Sequence, residues 1–121
     1  MTSNDNLEKY LPLTEATYYI MLALVEPRHG YAVMRKVDEI TRGKVKIGPG
    51  TLYGAFVTLE KERLITMVGE SKRRKSYTIT MKGRRVLLLQ LERLGSMIRN
   101  GADYFNMLST DRQNQGGENG G

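Results

Sequence analysis

The sequence of 121 residues contains no cysteine and a single histidine, His29. The absence of cysteine excludes disulfide bonds and thiolate metal ligands, and it is typical of proteins from reducing compartments. His29 lies beside a turn and has no second histidine, so a metal site or a histidine-based catalytic site is not expected there. We therefore predict no metal and no cofactor, and we expect His29 to serve the turn.

Long apolar runs and enzyme motifs are also missing. The most apolar stretch, residues 18–25, is too short to span a bilayer, and no signal-peptide pattern is present. We therefore expect a cytoplasmic protein without a membrane partner. There is no phosphate-binding glycine loop and no HExxH cluster. Glu60 and Glu62 lie two residues apart on one predicted helix and so point to different faces. These absences argue against an enzyme.

Positive charge is concentrated in one segment. Residues 69–85, GESKRRKSYTITMKGRR, hold seven of the 19 Lys/Arg and one of the 13 Asp/Glu, a local charge of +6. The whole sequence also carries +6, so the remaining twelve basic and twelve acidic residues cancel. This concentration favours a polyanionic partner, either nucleic acid or an anionic membrane surface. Composition alone does not separate the two, and the order of elements must decide.

Apolar spacing predicts two helices in the first part of the chain. Thr14 is suited to be the N-cap of a first helix over residues 15–25. A second amphipathic helix is expected from Tyr31 to Gly43, with apolar side chains at every third position.

A third helix is expected to begin within Gly48-Pro49-Gly50, after an alternating stretch over residues 44–47 that predicts a short strand. Its packing face consists of Leu52, Phe56 and Leu59, which are spaced four and three apart. The opposite face is left free for another contact.

Two alternating runs, residues 65–68 and 76–81, predict paired strands. The predicted loop between them, residues 69–75, carries four consecutive cations at its tip. Long cationic side chains at the tip of a hairpin can reach outward, which is the geometry of a wing.

This order of elements predicts a mainly α fold with a small β-hairpin, namely a winged helix-turn-helix with a long carboxy-terminal dimerisation helix. In this fold the third helix enters the major groove of DNA and the wing lies along the phosphate backbone. Small and hydrogen-bonding residues at the start of the third helix suit close approach to base edges, but arginine and asparagine are absent there, which favours a modest base readout supplemented by phosphate contacts and DNA shape. The residues expected to contact double-stranded DNA are Pro49, Gly50, Thr51, Tyr53, Gly54 and Thr58 in the helix and Lys72, Arg73, Arg74 and Lys75 in the wing.

The last helix is expected to start at Thr80 and to carry apolar residues in a four-three heptad alternation. Other apolar residues flank this seam, so one small domain cannot cover the helix and a homodimer is expected. The predicted dimer interface consists of Leu87, Leu91, Leu94, Ile98, Phe105 and Leu108. We thus divide the chain into a flexible amino-terminal segment (1–11), a DNA-binding domain (12–81), a dimerisation helix (82–108) and a disordered tail (109–121).

Residues 13–94 resemble the PadR family of transcriptional regulators. Three segments carry the resemblance, in order and at matching spacing: HGYAVMRKVDEITRG at 29–43, GPGTLYGAFVTLEKERLI at 48–65 and RKSYTITMKGRRVL at 74–87. The resemblance implies a homodimeric winged-helix repressor of the short form, with one carboxy-terminal dimer helix and DNA contacts at Thr51, Tyr53 and the wing cations. Family members often carry glycine at the position of Arg63 and an arginine-tyrosine pair at Ser76-Tyr77.

Some family members with a short last helix bind flat aromatic drugs at the dimer interface through a tryptophan, which this sequence lacks. Met97, Tyr104 and Phe105 could line a similar effector cavity, although apolar residues on a dimerising helix more commonly form plain interface. An alternative function is a winged-helix module for protein-protein contacts, or for non-specific binding of nucleic acid or anionic membranes. Sequence-specific binding to duplex DNA distinguishes the regulator from these alternatives.

Overall fold

A computed structural model describes residues 3–118, which form two units that are treated separately below: the residues up to Gln90 and those from Leu91 onwards. As predicted, the structure is mainly helical with a small antiparallel sheet. No helix among residues 3–118 combines the length and the apolar character that a membrane crossing requires. The elements in chain order are a 3-10 helix (Ser3–Tyr10), α1 (Glu15–Ala23), β1 (Arg28–His29), α2 (Gly30–Ile40), α3 (Pro49–Lys61), β2 (Ile65–Ser71), β3 (Arg74–Ile79) and α4 (Met81–Glu118).

One core holds the first unit together, and it takes side chains from each of its helices and from the inner side of the hairpin. The predicted packing face of α3 is confirmed, because Leu52, Phe56 and Leu59 are all buried. The largest fully buried side chains are those of Ile20, Met21, Leu24, Val33, Val37, Leu64, Ile65 and Val86. The first unit therefore buries α3 on one side only.

Side-chain caps start three of the helices. Thr14 Oγ1 accepts the N–H of Thr17 at 3.1 Å at the start of α1, as predicted. Thr80 Oγ1 accepts the N–H of Gly83 at 3.0 Å at the start of α4. His29 serves as the N-cap of α2, where its Nδ1 accepts a backbone N–H at 3.4 Å. The single histidine thus has a structural task at the turn.

The buried face of α2 matches the predicted one only in part, because Met34 and Val37 of the predicted row pack in the core but its two ends do not. Val33 and Val37 are fully buried, whereas Tyr31 and Ile40 are exposed. Successive residues of a helix are about 100° apart, so positions spaced by three drift steadily around its axis. Positions spaced by four, such as Val33 and Val37, stay closer to the core.

The third strand of the sheet is β1 and not residues 44–47, so the strand prediction for that stretch was wrong. The sheet order is β1-β3-β2, and β3 pairs with both neighbours in antiparallel register. The segment after α2 is tied back to the helix end instead, because Thr41 Oγ1 accepts the N–H of Val45 at 3.1 Å. This side-chain bond occupies a backbone group that a strand would use.

The wing hairpin is tighter than predicted. Glu70 pairs with Lys75 and Ser71 with Arg74, so the strands extend into the predicted loop and only Lys72 and Arg73 form the turn. Val68 is the extra residue of a bulge, which lies where the register shifts between Met67 and Gly69. The bulge interrupts the alternation of side chains between the two faces of β2. The alternating pattern in the sequence therefore ends at Val68, although the strand continues to Ser71.

Both ends of the chain also differ from the predicted boundaries. Within the predicted flexible segment, a 3-10 helix places Leu7 in the core, and the Tyr10 hydroxyl donates to Glu62 Oε1 at 2.8 Å. At the other end α4 continues to Glu118, well past the predicted boundary at residue 109. The remaining parts of these two predictions, residues 1–2 and 119–121, lie outside the described residues.

The turn that follows α3 contains a left-handed residue. Arg63 has φ 63°, and the next N–H, that of Leu64, donates to the carbonyl of Leu59 at 2.8 Å. Glycine normally serves this position in a helix C-terminus, because it adopts positive φ without steric cost. A glycine in place of Arg63 would therefore relieve the backbone at this position.

Two backbone carbonyls join the end of β3 to the helices. The Leu24 carbonyl accepts the Ile79 N–H at 2.9 Å and the Thr78 hydroxyl at 2.9 Å. The Leu64 carbonyl accepts the Thr80 N–H at 3.0 Å. These bonds place the wing and the start of α4 against α1 and α3.

We expect Gly83→Ala to lower the free energy of unfolding by about 3 kcal/mol, because the backbone must shift to admit an added carbon. A Cβ at Gly83 would collide with the carbonyl oxygen of Leu64. Urea denaturation checks this. The matched control is Gly54→Ala, where a Cβ meets nothing within 4 Å, and helix propensity should raise stability by up to about 1 kcal/mol. Equal effects of the two variants would contradict the close approach at Gly83.

Candidate nucleic-acid interface

The outward face of α3 forms the first part of the site. With about 100° between residues, the positions opposite the buried stripe are Gly50, Gly54, Val57 and Lys61, and all of them are exposed. Val57 was not among the residues singled out from the sequence, although the same helical spacing places it opposite the packing face. Its side chain is 66% exposed.

Polar residues flank this outward face on both sides. Thr51 and Thr58 lie along one flank, and Tyr53 and Glu60 lie along the other. Tyr53 is 74% exposed, so its hydroxyl is free to reach a phosphate or a sugar. The six helix residues predicted to contact DNA are all exposed: Pro49, Gly50, Thr51, Tyr53, Gly54 and Thr58.

The glycines of α3 have no role in the packing of the unit itself. A Cβ at Gly50 or Gly54 would meet nothing within 4 Å. A glycine inside a helix costs about 1 kcal/mol relative to alanine. Their absent side chains leave the helix backbone open to close approach from outside the molecule.

The wing turn places two cations in an unfavourable backbone conformation. Lys72 has φ 53° and Arg73 has φ 66°, both in the left-handed region that a two-residue type I′ hairpin turn requires. Asn-Gly is the preferred pair for this turn, because residues with a large side chain pay about 1 kcal/mol or more for positive φ. The turn is therefore better suited to presenting charge than to stabilising the hairpin.

The charges of the wing are not neutralised by acidic neighbours. Lys72, Arg73, Arg74 and Lys75 are all exposed. The ion pairs found among the described residues lie elsewhere in the molecule: Arg28–Glu26, Lys36–Glu39 and Lys46–Asp38. Glu70 is aligned with Lys75 across the hairpin, yet the two do not form an ion pair. The wing thus presents a positive surface to solvent.

A groove of about 690 Å³ separates α3 from the wing. Tyr31, Tyr53 and Val57 line it from the helices, and Arg73 and Lys75 line it from the wing. This combination of aromatic, apolar and cationic side chains is typical of surfaces that bind nucleic acid.

Tyr77 lies at the floor of this groove, and its ring packs against that of Phe56 with centroids 4.8 Å apart. Burial, followed by the negative charge of Glu60, raises the pKa of Tyr77 above its usual value. The charged side chains of the groove lie above this ring, with Glu60 on α3 and Arg73, Arg74 and Lys75 on the wing.

The second unit, from Leu91 onwards, carries an exposed apolar row. Ile98 and Phe105 are 72% and 67% exposed, Leu91 and Leu108 are also exposed, and Leu94 is half-buried. Leu87, the remaining residue of the predicted interface, lies instead in the core of the first unit at 5% exposed. The part of the predicted dimer interface that is exposed in the single chain thus begins at Leu91.

The residues suggested for an effector cavity, Met97, Tyr104 and Phe105, are exposed along the same helical unit. A single helix does not enclose a ligand, so these side chains would need a second chain to form a cavity.

An uncovered helix beside a cationic two-stranded wing defines the winged-helix class of DNA-binding proteins. The family model for the transcriptional regulator PadR-like family matches residues 20–88. The chain belongs to this family of transcriptional regulators.

Two curated relatives match part of the chain. An uncharacterized 37.1 kDa protein of a Streptomyces fradiae transposon is 32% identical over 74 residues, 60% of this chain and 21% of the relative. An uncharacterized protein X of Lysinibacillus sphaericus is 32% identical over 72 residues, 56% of this chain and 66% of the relative. The chain therefore matches about a fifth of the first relative and about two thirds of the second.

Solved structures cover nearly the whole fold. A PadR-like transcription factor from Bacteroides fragilis superposes with a TM-score of 0.61 at 27% identity, covering 83% of this chain and 98% of that chain. A PadR-like transcriptional regulator from Bacillus cereus superposes with a TM-score of 0.59 at 25% identity, covering 86% and 96%. Both similarities extend beyond the segment matched by the family model.

We expect replacement of Lys72-Arg73 by Asn-Gly to raise the free energy of unfolding by about 1 kcal/mol while weakening DNA binding, since it relieves the turn and removes two cations. Urea denaturation and filter binding to duplex DNA measure the two effects. The control removes the same charge without altering the turn, through Arg74→Gln with Lys75→Gln. It should weaken binding without the gain in stability, and an equal gain would refute strain at the turn.

Proposed function

We propose that this protein is a cytoplasmic transcriptional repressor that binds a palindromic operator as a homodimer. In this proposal the α3 helices of two protomers enter successive major grooves about one DNA turn apart, and each wing lies on the flanking phosphate backbone. The observation that carries the proposal is the uncovered face of α3 next to unneutralised wing cations. Occupation of the operator would prevent transcription from the adjacent promoter.

The outward face of α3 is suited to the major groove, which is wide enough to admit a helix. Gly50 and Gly54 reduce the width of the helix on that face and let its backbone approach the base edges. Thr51 and Thr58 supply hydroxyl groups on one flank, and Tyr53 supplies one on the other. These groups position the helix on phosphates and bases without the bidentate contacts that arginine or asparagine would make.

The positive charge supplies affinity that does not depend on sequence. Each phosphate neutralised by a lysine or arginine releases counterions, so binding should weaken steeply as salt is added. The four wing cations, Lys72, Arg73, Arg74 and Lys75, are the residues that we assign to these contacts. Specificity would then come from α3 and from the shape of the DNA.

The dimer contact is assigned to the exposed apolar row of the second unit. Leu91, Leu94, Ile98, Phe105 and Leu108 follow the four-three spacing of a coiled-coil seam. A row of this length would be costly to leave in water, and a second copy carries an identical row. Leu87 is excluded from this contact because the first unit already buries it.

An effector that binds between protomers would act by favouring one separation of the two α3 helices over another. Only a difference in affinity between those two arrangements could release the operator. Met97, Tyr104 and Phe105 are the side chains that we assign to such a cavity, because they are large, exposed and on the dimerising helix.

Selection of DNA sites by the purified protein from random duplexes tests the proposal. We expect a palindromic consensus, and replacement of Arg73 and Arg74 by alanine should weaken binding to all sequences and flatten the salt slope by up to about two units per wing. Filter binding over a range of salt concentrations measures both effects. The control removes the same charge from the second unit, through Arg93→Ala with Arg99→Ala, and should keep the slope. Unchanged binding by the wing variant would make the wing assignment wrong.

We expect Ile98→Glu to convert the dimer to monomers, because two buried carboxylates would face each other in the seam. Ile98 is 72% exposed in the single chain, so the substitution should leave the fold of the protomer intact. Sedimentation velocity measures the oligomeric state. Asn100→Glu adds the same charge off the seam and should remain dimeric. A dimer that survives Ile98→Glu would refute the seam.

A further inference from the structure

Val57 is an apolar side chain on the exposed face of α3, where it does not stabilise the fold of the chain. It is 66% exposed on α3 and lies opposite the buried stripe, so it contributes little to the core. Valine is also a weaker helix former than alanine, because its branched Cβ restricts the side chain. Neither packing nor helix propensity explains its presence.

The neighbours of Val57 make it the most prominent side chain at the centre of the outward face. Gly50 and Gly54 share that face and have no side chains. A helical side chain leans toward the amino-terminal end of its helix, so Val57 covers the surface that Gly54 leaves bare. The methyl groups of Val57 are therefore placed to meet whatever approaches the middle of α3.

The charges around Val57 favour nucleic acid over an apolar protein surface as its partner. Val57 lines the same groove as three wing cations, Arg73, Arg74 and Lys75, and one carboxylate, Glu60. Lys61 follows it by one turn on the same face, so positive charge predominates around it. A hydrophobic protein partner would have to cover these cations without neutralising them, which is costly. DNA supplies phosphates for the cations and base edges for the valine.

In the major groove the apolar group on the edge of a base pair is the C5-methyl of thymine. We infer that Val57 is a specificity-determining residue that recognises thymine through this methyl group. The inference rests on the proposed placement of α3 in the major groove, and it adds a base preference that the polar residues of the helix do not supply. Recognition by methyl contact also fits a helix without arginine or asparagine on its outward face.

The experiment compares DNA with and without the methyl group. Duplexes selected by the wild-type protein are resynthesised with deoxyuridine in place of thymidine, which leaves the Watson-Crick pairing unchanged. Wild-type protein should bind the uracil duplex about four-fold more weakly for each thymine methyl that Val57 contacts. Val57→Ala should bind the two duplexes equally. Competition binding at constant salt measures the ratio for each protein.

Val25→Ala is the matched control, because Val25 is also an exposed valine but lies in the turn after α1. It should discriminate between the two duplexes as the wild-type protein does. Equal binding of both duplexes by the wild-type protein, or discrimination retained by Val57→Ala, overturns the inference. These results leave the proposed function standing. A selection that returns no consensus overturns the proposed function, and the inference with it.

Discussion

The hydrogen bond from the Thr80 N–H to the Leu64 carbonyl is the contact on which the geometry of the binding surface depends. It joins the end of β3 and the start of α4 to Leu64, which lies between α3 and β2. The hydroxyl of Thr80 adds a bond to the carbonyl of Arg63 at 2.7 Å, and its oxygen also caps α4. Gly83 is packed so closely against Leu64 that no side chain fits there. These contacts hold the wing and α3 in a fixed relative position. A fixed position is required if both are to bind DNA at the same time.

Several positions of the surface reduce stability without any gain in internal packing. Lys72 and Arg73 adopt left-handed backbone at the wing turn, and Gly50 and Gly54 weaken a helix that has open space beside them. Such departures from local preference are expected at sites shaped by a partner. Arg63 is a different case, because its positive φ follows from the end of α3 and a glycine there would relieve it. The two wing-turn residues and the two glycines lie on the face assigned to DNA, whereas Arg63 lies just beyond the end of α3.

The fold class, the caps and the packing face of α3 could all be predicted from the sequence. Leu52, Phe56 and Leu59 have a spacing that only one helical face satisfies, and Thr14 and Thr80 are residues whose side chains cap helices. The every-third pattern of α2 was only partly right, since it drifts off the core: Val37 is buried as the pattern predicts, but Tyr31 and Ile40 are exposed. The alternating residues 44–47 were also misleading, because alternation does not reveal whether a neighbouring strand is available.

The sequence by itself determined the features that depend on nearby residues. These are the helical periodicity of α3, the capping of α1 and α4, and the clustering of cations in the wing, all of which act within a few positions of the chain. Only the tertiary structure decided that β3 pairs with Arg28–His29, that Leu87 is buried in the first unit, and that Val57 lines a groove with the wing cations. Each of these results depends on contacts between residues far apart in sequence, and local patterns do not encode which distant surface will cover a given side chain.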